Sequence, residues 1–317
     1  MNALALLSQL GEVVLAVALA PVLAGWVAQC RAWLQNRSAP PLLQPYRTVR
    51  KLFRKDAALA TDASPLFRAT PYIVFGAMAM AAAIIPSVTT DLPLARVADA
   101  IALVGLFATA RVFIALAAMD IGTVFGSMGA RREMMIGFLA EPALLMVFFN
   151  TFLMFGSTAL PTVVEDTVNT HGLVLHPSLA FAGVAFVMVL LAENARIPID
   201  NPATHLEVTM IHEAMVLEYS ARHLALIEWA SWLKLFNYAC IGFALFVPWG
   251  IALHAAGPLA LLFALAWLVA KLAVTGVGLA VIETISAKLR IFRAPEFLSM
   301  AFLFAVLGLL VYLLLRS

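Results

Sequence analysis

Long apolar runs separated by polar connections repeat along the whole chain. A helix needs about 20 mostly apolar residues to cross the hydrocarbon core of a bilayer, and eight runs approach that length. They cover residues 6–29, 69–89, 97–119, 134–158, 177–193, 234–254, 258–283 and 297–315. Because lipid offers no partner to exposed backbone N–H and C=O groups, these runs must be helices. The pattern predicts an all-α, polytopic membrane helical bundle with about eight transmembrane helices, and residues 1–317 as a single integral membrane domain.

The composition agrees with a membrane protein. Of the 317 residues, 63% are hydrophobic and 12% are charged, and the mean hydropathy is +0.98. This leaves too few polar side chains to cover a water-soluble body. Cys30 and Cys240 are too few to supply the four thiolates of an iron–sulfur cluster. Val216 replaces the second histidine of a zinc-protease motif at His212-Glu213, so we expect no metal site and no cofactor bound by this chain.

The basic residues occupy alternate connections. Sixteen of the 20 Lys and Arg residues lie in the connections that follow the first, third, fifth and seventh runs. The positive-inside rule places these connections in the cytoplasm. Eight spans then leave both termini outside. No nucleic-acid-binding pattern is visible in the sequence.

Residues 46–55 predict an interfacial amphipathic helix, which Pro45 can open. One face is apolar and contains Tyr46, Val49, Leu52 and Phe53. The opposite face is basic and contains Arg47, Arg50, Lys51, Arg54 and Lys55. Such a helix either anchors the chain to anionic lipid or also packs against a cytoplasmic partner, and both interpretations remain open.

The connection over residues 193–234 concentrates acids. A segment bracketed by Pro198 and Pro202 leads into a predicted helix over 204–221, where Thr204 and Glu207 have the spacing of a capping box. The acids in this connection are Asp200, Glu207, Glu213 and Glu218. Buried carboxylates must be paired or protonated. These acids therefore either pair with Arg196, Arg222 and Lys234 to hold the shape of the connection, or exchange protons.

Further ionisable residues fall within or beside the apolar runs. Glu141 lies about two turns into the fourth run, and Arg111 or Lys271 is its expected partner. A series of such groups, which also includes Asp99, Glu193 and Glu283, is typical of a proton relay, because each member must gain and lose a proton. Static ion pairs between helices are the alternative. We expect Glu12 to be solvated near the outer surface and residues 159–176 to form a solvated loop.

Four segments together resemble a known family. They contain Gln44-Pro45-Tyr46-Arg47, then Asp120-Ile121-Gly122-Thr123 through to Glu141-Pro142, then Arg196-Ile197-Pro198-Ile199-Asp200 through to Glu218-Tyr219-Ser220, and finally Glu283 with Arg290. In their order, in the side of the membrane predicted for their connections and in their spacing, these segments resemble the respiratory complex I subunit 1 family. Within it, the chain looks most like the membrane subunit of formate hydrogenlyase and of group 4 energy-converting nickel–iron hydrogenases.

The resemblance implies a non-redox membrane subunit in a prokaryotic inner membrane. It would anchor a cytoplasmic electron-transfer arm and couple it to proton or sodium translocation. The implied partners are an iron–sulfur small subunit, a nickel–iron large subunit, a ferredoxin-like subunit and an antiporter-like membrane subunit, and the iron–sulfur clusters and the nickel–iron centre would lie in those partners. The proton-relay candidates are Glu141, Glu193, Asp200, Glu207, Glu213, Glu218, Glu283, Lys271 and Arg111. The candidates for docking the redox arm are Arg37, Arg47, Arg50, Lys51, Arg131, Arg132 and Arg196.

Two departures from the family pattern bear on a quinone site. Arg37-Ser38-Ala39-Pro40 stands where the family has Arg-Gly-Pro, and residues 201–207 replace a more acidic run. Both favour the hydrogenase branch, which needs no quinone. Three alternatives remain: a quinone-binding subunit of a complex I-like NADH or ferredoxin dehydrogenase, a passive anchor, and a stand-alone secondary transporter. A transporter predicts broken helices around a site near mid-bilayer, whereas the polar residues here crowd toward the cytoplasmic side.

Overall fold

The computed structural model describes residues 3–60, 63–96, 98–169, 176–200, 210–253, 257–287, 289 and 293–316. These residues form eleven α-helices, which confirms the all-α prediction. The helices are α1 (Ala3–Leu34), α2 (Gln44–Phe53), α3 (Pro65–Ile84), α4 (Ala100–Asp120), α5 (Val124–Phe155), α6 (Leu160–Asn169), α7 (Pro177–Glu193), α8 (His212–Val216), α9 (Ala221–Phe246), α10 (Pro258–Ile285) and α11 (Ala294–Arg316).

The chain is a polytopic membrane protein. Six helices, α1, α3, α4, α5, α10 and α11, are long and apolar enough to cross a membrane. The other two predicted spans fall on α7, an apolar helix of 17 residues, and on α9, which has 26 residues. Because α9 ends at Phe246, the predicted span over 234–254 extends too far at its C-terminal side.

Local signals explain where several helices begin and end. The Ser64 hydroxyl accepts a hydrogen bond from the Leu66 N–H at 3.1 Å and caps α3. The Asp99 carboxylate accepts a hydrogen bond from the Ala102 N–H, also at 3.1 Å, and caps α4. Side chains of these types satisfy donors that have no partner inside the helix. Gly156, with a φ of 69°, ends α5 in the left-handed conformation that glycine adopts at least cost.

The amphipathic helix is confirmed as α2, with Pro45 in its first turn. Val49 is buried, whereas Arg47, Arg50 and Lys51 are exposed. The Tyr46 hydroxyl donates to the Ala18 carbonyl of α1. The helix therefore rests its apolar side on the bundle and presents its basic side outward.

The connections rich in basic residues meet at one end of the bundle. We call this the polar end, where α1, α4, α7 and α10 finish and α3, α5, α9 and α11 begin. Hydrogen bonds tie its segments together: Ser64 N–H to Asp120 at 3.3 Å, Ser220 hydroxyl to the Ala58 carbonyl at 2.6 Å, and Leu289 N–H to the Pro198 carbonyl at 2.8 Å. These bonds place the connections after α1, α4, α7 and α10 on a common side.

Two local predictions are wrong. The helix expected over 204–221 is, within the described residues, only the short α8, because the chain turns at residues 217–220 before α9 begins. Glu207 lies outside the described residues. The outer connection expected as a solvated loop contains α6, whose Leu160, Val163 and Val164 are buried.

The expectation that Glu12 is solvated is also wrong. Glu12 is 4% exposed and accepts hydrogen bonds from the segment after α3. Its partners are the Ser87 N–H at 3.2 Å, the Ser87 hydroxyl at 3.0 Å, the Val88 N–H at 3.1 Å and the Thr89 N–H at 2.7 Å. These donors supply the partners that water would otherwise provide, so the carboxylate holds this segment to α1.

Candidate functional site

Arg111 of α4 lies at the centre of a buried group of charges. The residue is 4% exposed. Its guanidinium donates one hydrogen bond to Glu141 of α5 and another to Glu193 at the end of α7. Its Nε lies 3.6 Å from Glu133 of α5. One arginine therefore meets three carboxylates from two other helices.

Lys234 of α9 completes the group. Its Nζ lies 2.9 Å from the Glu193 carboxylate and donates to the Glu193 main-chain carbonyl at 2.6 Å. We call Arg111, Glu133, Glu141, Glu193 and Lys234 the Arg111 cluster. With every member ionised, it carries two positive and three negative charges. Such a group persists in the interior only when its members satisfy one another.

A glycine makes room for the guanidinium. Gly137 lies on α5 between Glu133 and Glu141, at four-residue spacing, so all three occupy one row of the helix surface. A Cβ added at Gly137 would approach the Arg111 Cδ to 2.6 Å. The missing side chain therefore lets Arg111 lie against α5 and reach both glutamates.

Glu283 of α10 forms a second buried ion group nearer the polar end. Its carboxylate lies 2.9 Å from Arg196 and 3.4 Å from Arg31 of α1. Its side chain is only 1% exposed. This group joins α1 and α10 to the segment that follows α7.

Asp200 organises the same segment. It is 2% exposed and accepts hydrogen bonds from the Ile211 and His212 N–H groups, each at 3.3 Å. His212 is the first residue of α8. A carboxylate there is stabilised by the backbone donors at the start of the helix.

Two cavities adjoin these groups. A cavity of about 280 Å³ lies between α1, α2, α9 and the segment after α7, and its ionisable lining residues are Arg31, Arg196, Asp200, His212, Glu213 and Glu228. A smaller cavity of about 50 Å³ touches Arg111, Glu133, Glu193 and Lys234. The cavities share the lining residues Asn194, Ala195, His212 and Ser231. These shared residues lie between the larger cavity and the smaller cavity that touches the cluster.

The predicted relay residues divide into separate places. Of the two expected partners of Glu141, Arg111 is the one that pairs with it, and the same arginine also pairs with Glu193. Asp200 and Glu213 line the larger cavity, and the Glu283 carboxylate pairs with two of the arginines that line it. Glu218 is exposed and lines neither cavity. Lys271 of α10 donates to the Val247 carbonyl and lies 5.5 Å from the centroid of the Phe243 ring, which places it apart from the cluster.

The predicted docking residues differ in exposure. Arg37, Arg47, Arg50, Lys51 and Arg131 are exposed. Two others are engaged within the chain. Arg132 donates to the Met210 carbonyl at 3.0 Å, and Arg196 pairs with Glu283.

The proton-relay candidates predicted from the sequence include neither Glu133 nor Lys234. Glu133 could have been found, because it precedes Glu141 by eight residues and so shares its helix row. Lys234 could not be assigned to Glu193 by spacing alone, since the two lie on different helices. Among the described residues, no group of three or more His, Cys, Asp or Glu side chains is arranged to hold a metal ion.

Comparison with known proteins gives consistent results. Residues 8–314 match the family described as NADH dehydrogenase. Formate hydrogenlyase subunit 4 of Escherichia coli (strain K12) is 34% identical over 292 residues, which cover 92% of this chain and 93% of that protein. Hydrogenase-4 component C of the same organism is 32% identical over 243 residues, covering 77% of this chain and 76% of that protein.

A solved structure has the same fold. A chain of the membrane-bound sulfane sulfur reductase, an archaeal respiratory membrane complex, superimposes with a TM-score of 0.81 at 18% identity. The match covers 96% of this chain and 98% of that chain. The arrangement of helices described above is therefore shared over nearly the full length.

Proposed function

Because this chain belongs to the NADH dehydrogenase subunit 1 family, we propose that it is the ion-coupling membrane subunit of a formate hydrogenlyase-like or hydrogenase-like complex. It anchors a cytoplasmic electron-transfer arm and couples electron flow to proton, or sodium, translocation. The identities to formate hydrogenlyase subunit 4 and hydrogenase-4 component C support this branch of the family.

The polar end is the docking side in this proposal. It faces the cytoplasm of a prokaryotic cell, the eight predicted spans cross the inner membrane, and both termini lie outside. The exposed cations of α2, together with Arg37 and Arg131, form the surface that receives the partner arm. That arm comprises the iron–sulfur small subunit, the nickel–iron large subunit and the ferredoxin-like subunit, which hold the iron–sulfur clusters and the nickel–iron centre. Glu218, which is exposed at the same end, belongs to this contact surface.

One observation carries the coupling proposal: the Arg111 cluster lies inside the bundle and is separated by shared lining residues from the cavity at the polar end. Electron transfer in the arm changes the charge or position of groups around the larger cavity. His212 lines both cavities, so a change there reaches the smaller cavity that Glu193 and Lys234 also line. The cluster thus serves as an element that a partner can bias.

Glu141 is the member best placed to exchange a proton. Its side chain is 33% exposed, whereas that of Glu193 is 1% exposed. Arg111 is its only ion-pair partner among the described residues, whereas Glu193 is held by both Arg111 and Lys234. Glu141 therefore passes protons toward the antiporter-like subunit, while Glu193 remains the fixed anion of the cluster.

The test compares two variants in membranes that contain the assembled complex. Glu141→Gln keeps the size of the side chain and removes its proton exchange, so proton uptake per hydrogen evolved should fall. Asp56→Asn, at an exposed position of the polar end, should behave like the wild type. Equal proton uptake in wild type and Glu141→Gln, with the complex intact, would show that this carboxylate is structural.

A quinone-binding role is the second candidate, because the larger cavity opens beside α1 and α2. Its lining weighs against that role: at least six ionisable residues border about 280 Å³, whereas small-molecule sites are mostly apolar. Quinone carried by the purified complex, or inhibition by quinone-site compounds, would favour it over the hydrogenase role. Ion uptake by the isolated chain in liposomes would instead favour a stand-alone transporter.

A further inference from the structure

Two helices begin next to each other at the polar end with arginines in their first turns. Arg68 lies in the first turn of α3, and Arg222 is the second residue of α9. Neither first turn contains an acidic residue. The N-terminus of a helix carries a partial positive charge. Two cations at two adjacent N-termini therefore create a site that favours an anion.

His223, the third residue of α9, packs against α3. It is 3% exposed, and its buried Nδ1 has no hydrogen-bond partner among the described residues. Its ring meets the Tyr72 ring edge-on, with 5.9 Å between centroids. Arg222 and Arg68 both lie close enough to act on it electrostatically. Three basic side chains thus converge where α3 packs on α9.

The part of the chain that the structure describes supplies no counter-ion for these arginines. Within the described residues, neither Arg68 nor Arg222 forms an ion pair with a carboxylate, although Arg31, Arg111 and Arg196 each do. The Asp120 carboxylate accepts instead from the Ser64 N–H at 3.3 Å. The positive charge of Arg68 and Arg222 is therefore available to bind an anionic group from another molecule.

An apolar row continues from the arginines into the depth of the membrane. Arg68, Tyr72, Gly76 and Met80 follow one another at four-residue spacing on α3, and all four are exposed. No atom lies within 4 Å of a Cβ added at Gly76, so the row is indented between Tyr72 and Met80. At about 1.5 Å per residue, the row extends roughly 18 Å, which is comparable to the ~15 Å depth of one leaflet.

We propose that this surface binds one anionic phospholipid, with its phosphate between Arg68 and Arg222 and one acyl chain along Tyr72, Gly76 and Met80. Arginine pairs with phosphate through two parallel hydrogen bonds, and anionic lipids provide that phosphate at the membrane surface. Tyr72 follows Arg68 by one helical turn, so in this site it would lie at the boundary between headgroup and acyl chain, where aromatic side chains are enriched in membrane proteins. An acidic segment of a protein would match the arginines but not the apolar row below them.

The headgroup half of the site is tested with the intact complex in nanodiscs of phosphatidylglycerol and phosphatidylcholine. Native mass spectrometry measures how much phosphatidylglycerol stays bound to the released complex. Arg68→Gln/Arg222→Gln should lower its affinity about 25-fold, since each basic residue near an anionic surface contributes roughly fivefold. Arg54→Gln/Arg293→Gln removes two exposed arginines of the polar end that lie outside the docking surface, and it should leave this tightly held lipid unchanged.

The acyl-chain half is tested without altering charge. Gly76→Leu fills the indentation and should also weaken phosphatidylglycerol binding. Gly105→Leu is the matched control, because Gly105 on α4 is likewise exposed with no atom within 4 Å of an added Cβ. The subunits that co-purify with each variant show whether the complex is intact.

Three results would overturn the proposal. Equal phosphatidylglycerol retention by the two double variants would show that Arg68 and Arg222 do not bind the lipid. Complete displacement of the lipid by inorganic phosphate, with no effect of Gly76→Leu, would make it a free-anion site. Loss of a neighbouring subunit from Arg68→Gln/Arg222→Gln with full lipid retention would make the surface a protein contact.

Discussion

Lys234 and Glu193 meet in the interior of the bundle although they are 41 positions apart in the chain. The lysine Nζ lies 2.9 Å from the Glu193 carboxylate and 2.6 Å from the carbonyl of the same residue. Glu193 is the last residue of α7, where carbonyl groups lack partners within the helix. Lys234 therefore neutralises a buried carboxylate and also satisfies the carbonyl group at the C-terminus of α7. Through these two contacts, one side chain of α9 holds the end of α7 in place.

Replacing the lysine should destabilise the protein strongly. Lys234→Met leaves the buried Glu193 with Arg111 as its only cation, and removing one partner of a buried pair costs about 3–5 kcal/mol. The thermal midpoint of the complex in detergent should fall accordingly. Lys55→Met, at an exposed position beyond the end of α2, should leave the midpoint nearly unchanged, and an equal shift in both variants would contradict the assignment.

Removing both charges should cost less than the sum of the single changes. Glu193→Gln alone leaves Lys234 without its carboxylate partner. The double variant Lys234→Met/Glu193→Gln removes one positive and one negative charge from the cluster. Residues in direct contact typically couple by about 0.5–3 kcal/mol. Thermal midpoints of the two single variants and the double variant measure this coupling, and strict additivity would show that the pair does not act as a unit.

A methyl group at Gly137 should displace Arg111. In Gly137→Ala the new Cβ would lie 2.6 Å from the Arg111 Cδ, and overpacking of this kind costs about 1–3 kcal/mol. We expect a lower thermal midpoint together with reduced proton uptake. Gly105→Ala on α4 meets no atom within 4 Å and should be neutral or slightly stabilising.

Glu12 should control the order of the segment after α3. Glu12→Ala removes the acceptor of four hydrogen bonds from Ser87, Val88 and Thr89, and bonds to a charged group contribute about 1.5–3 kcal/mol each. Hydrogen exchange at the three amides should become much faster. Asp56→Asn provides a control at an exposed acid. Unchanged protection of these amides in Glu12→Ala would show that the carboxylate does not hold the segment.

Tyr219 should remain protonated well into alkaline solution. Burial raises the pKa of its hydroxyl above the ordinary value of about 10, and the nearby Asp120 carboxylate raises the pKa further. The hydroxyl donates to the Phe67 carbonyl at 3.1 Å, and the two rings stack with centroids 3.9 Å apart. The contribution of Tyr219 to the free energy of unfolding is therefore complete below about pH 10, and it is lost as the pH rises through the raised pKa of the hydroxyl.

Difference titration tests this directly. Wild type and Tyr219→Phe should show the same tyrosinate absorbance up to about pH 10, because Tyr219 does not ionise there. A difference of one tyrosine appearing below that pH would contradict the buried environment. Tyr219→Phe should also lower stability by about 1 kcal/mol, the net contribution of a single hydrogen bond.

Much of the fold could be predicted because the membrane imposes simple rules on the sequence. The lengths of the apolar runs predicted the spanning helices. The separation of apolar and basic residues onto opposite faces of the segment after Pro45 predicted α2 and the apolar face that contains Val49. The failures occurred where tertiary contacts override a local pattern. The capping-box spacing at Thr204 and Glu207 predicted one helix through residue 221, yet Tyr219 packs on Phe67 and the chain turns before α9. Glu12 is buried because Ser87, Val88 and Thr89 surround it, and nothing near Glu12 in the sequence indicates those partners.

The candidate site was predictable only in part for the same reason. Glu141 and Arg111 stood out because a charge within a long apolar run is conspicuous and expensive. Lys234 and Glu133 lie at the margins of their runs, where charges are common, so hydropathy did not distinguish them. Their role depends on how α4, α5, α7 and α9 pack, which is a property of distances across the bundle rather than of spacing along the chain.

The position of Arg111 also constrains the order in which the protein can be built. All of its carboxylate partners, Glu133, Glu141 and Glu193, are synthesised after α4, so the arginine reaches the membrane before any of them. Inserting a lone arginine at the centre of a helix costs about 2.5–3.5 kcal/mol on the translocon scale. A ribosome-bound chain that stops short of α5 should therefore hold α4 poorly in the bilayer, and stable insertion of α4 depends on the later arrival of α5 and α7.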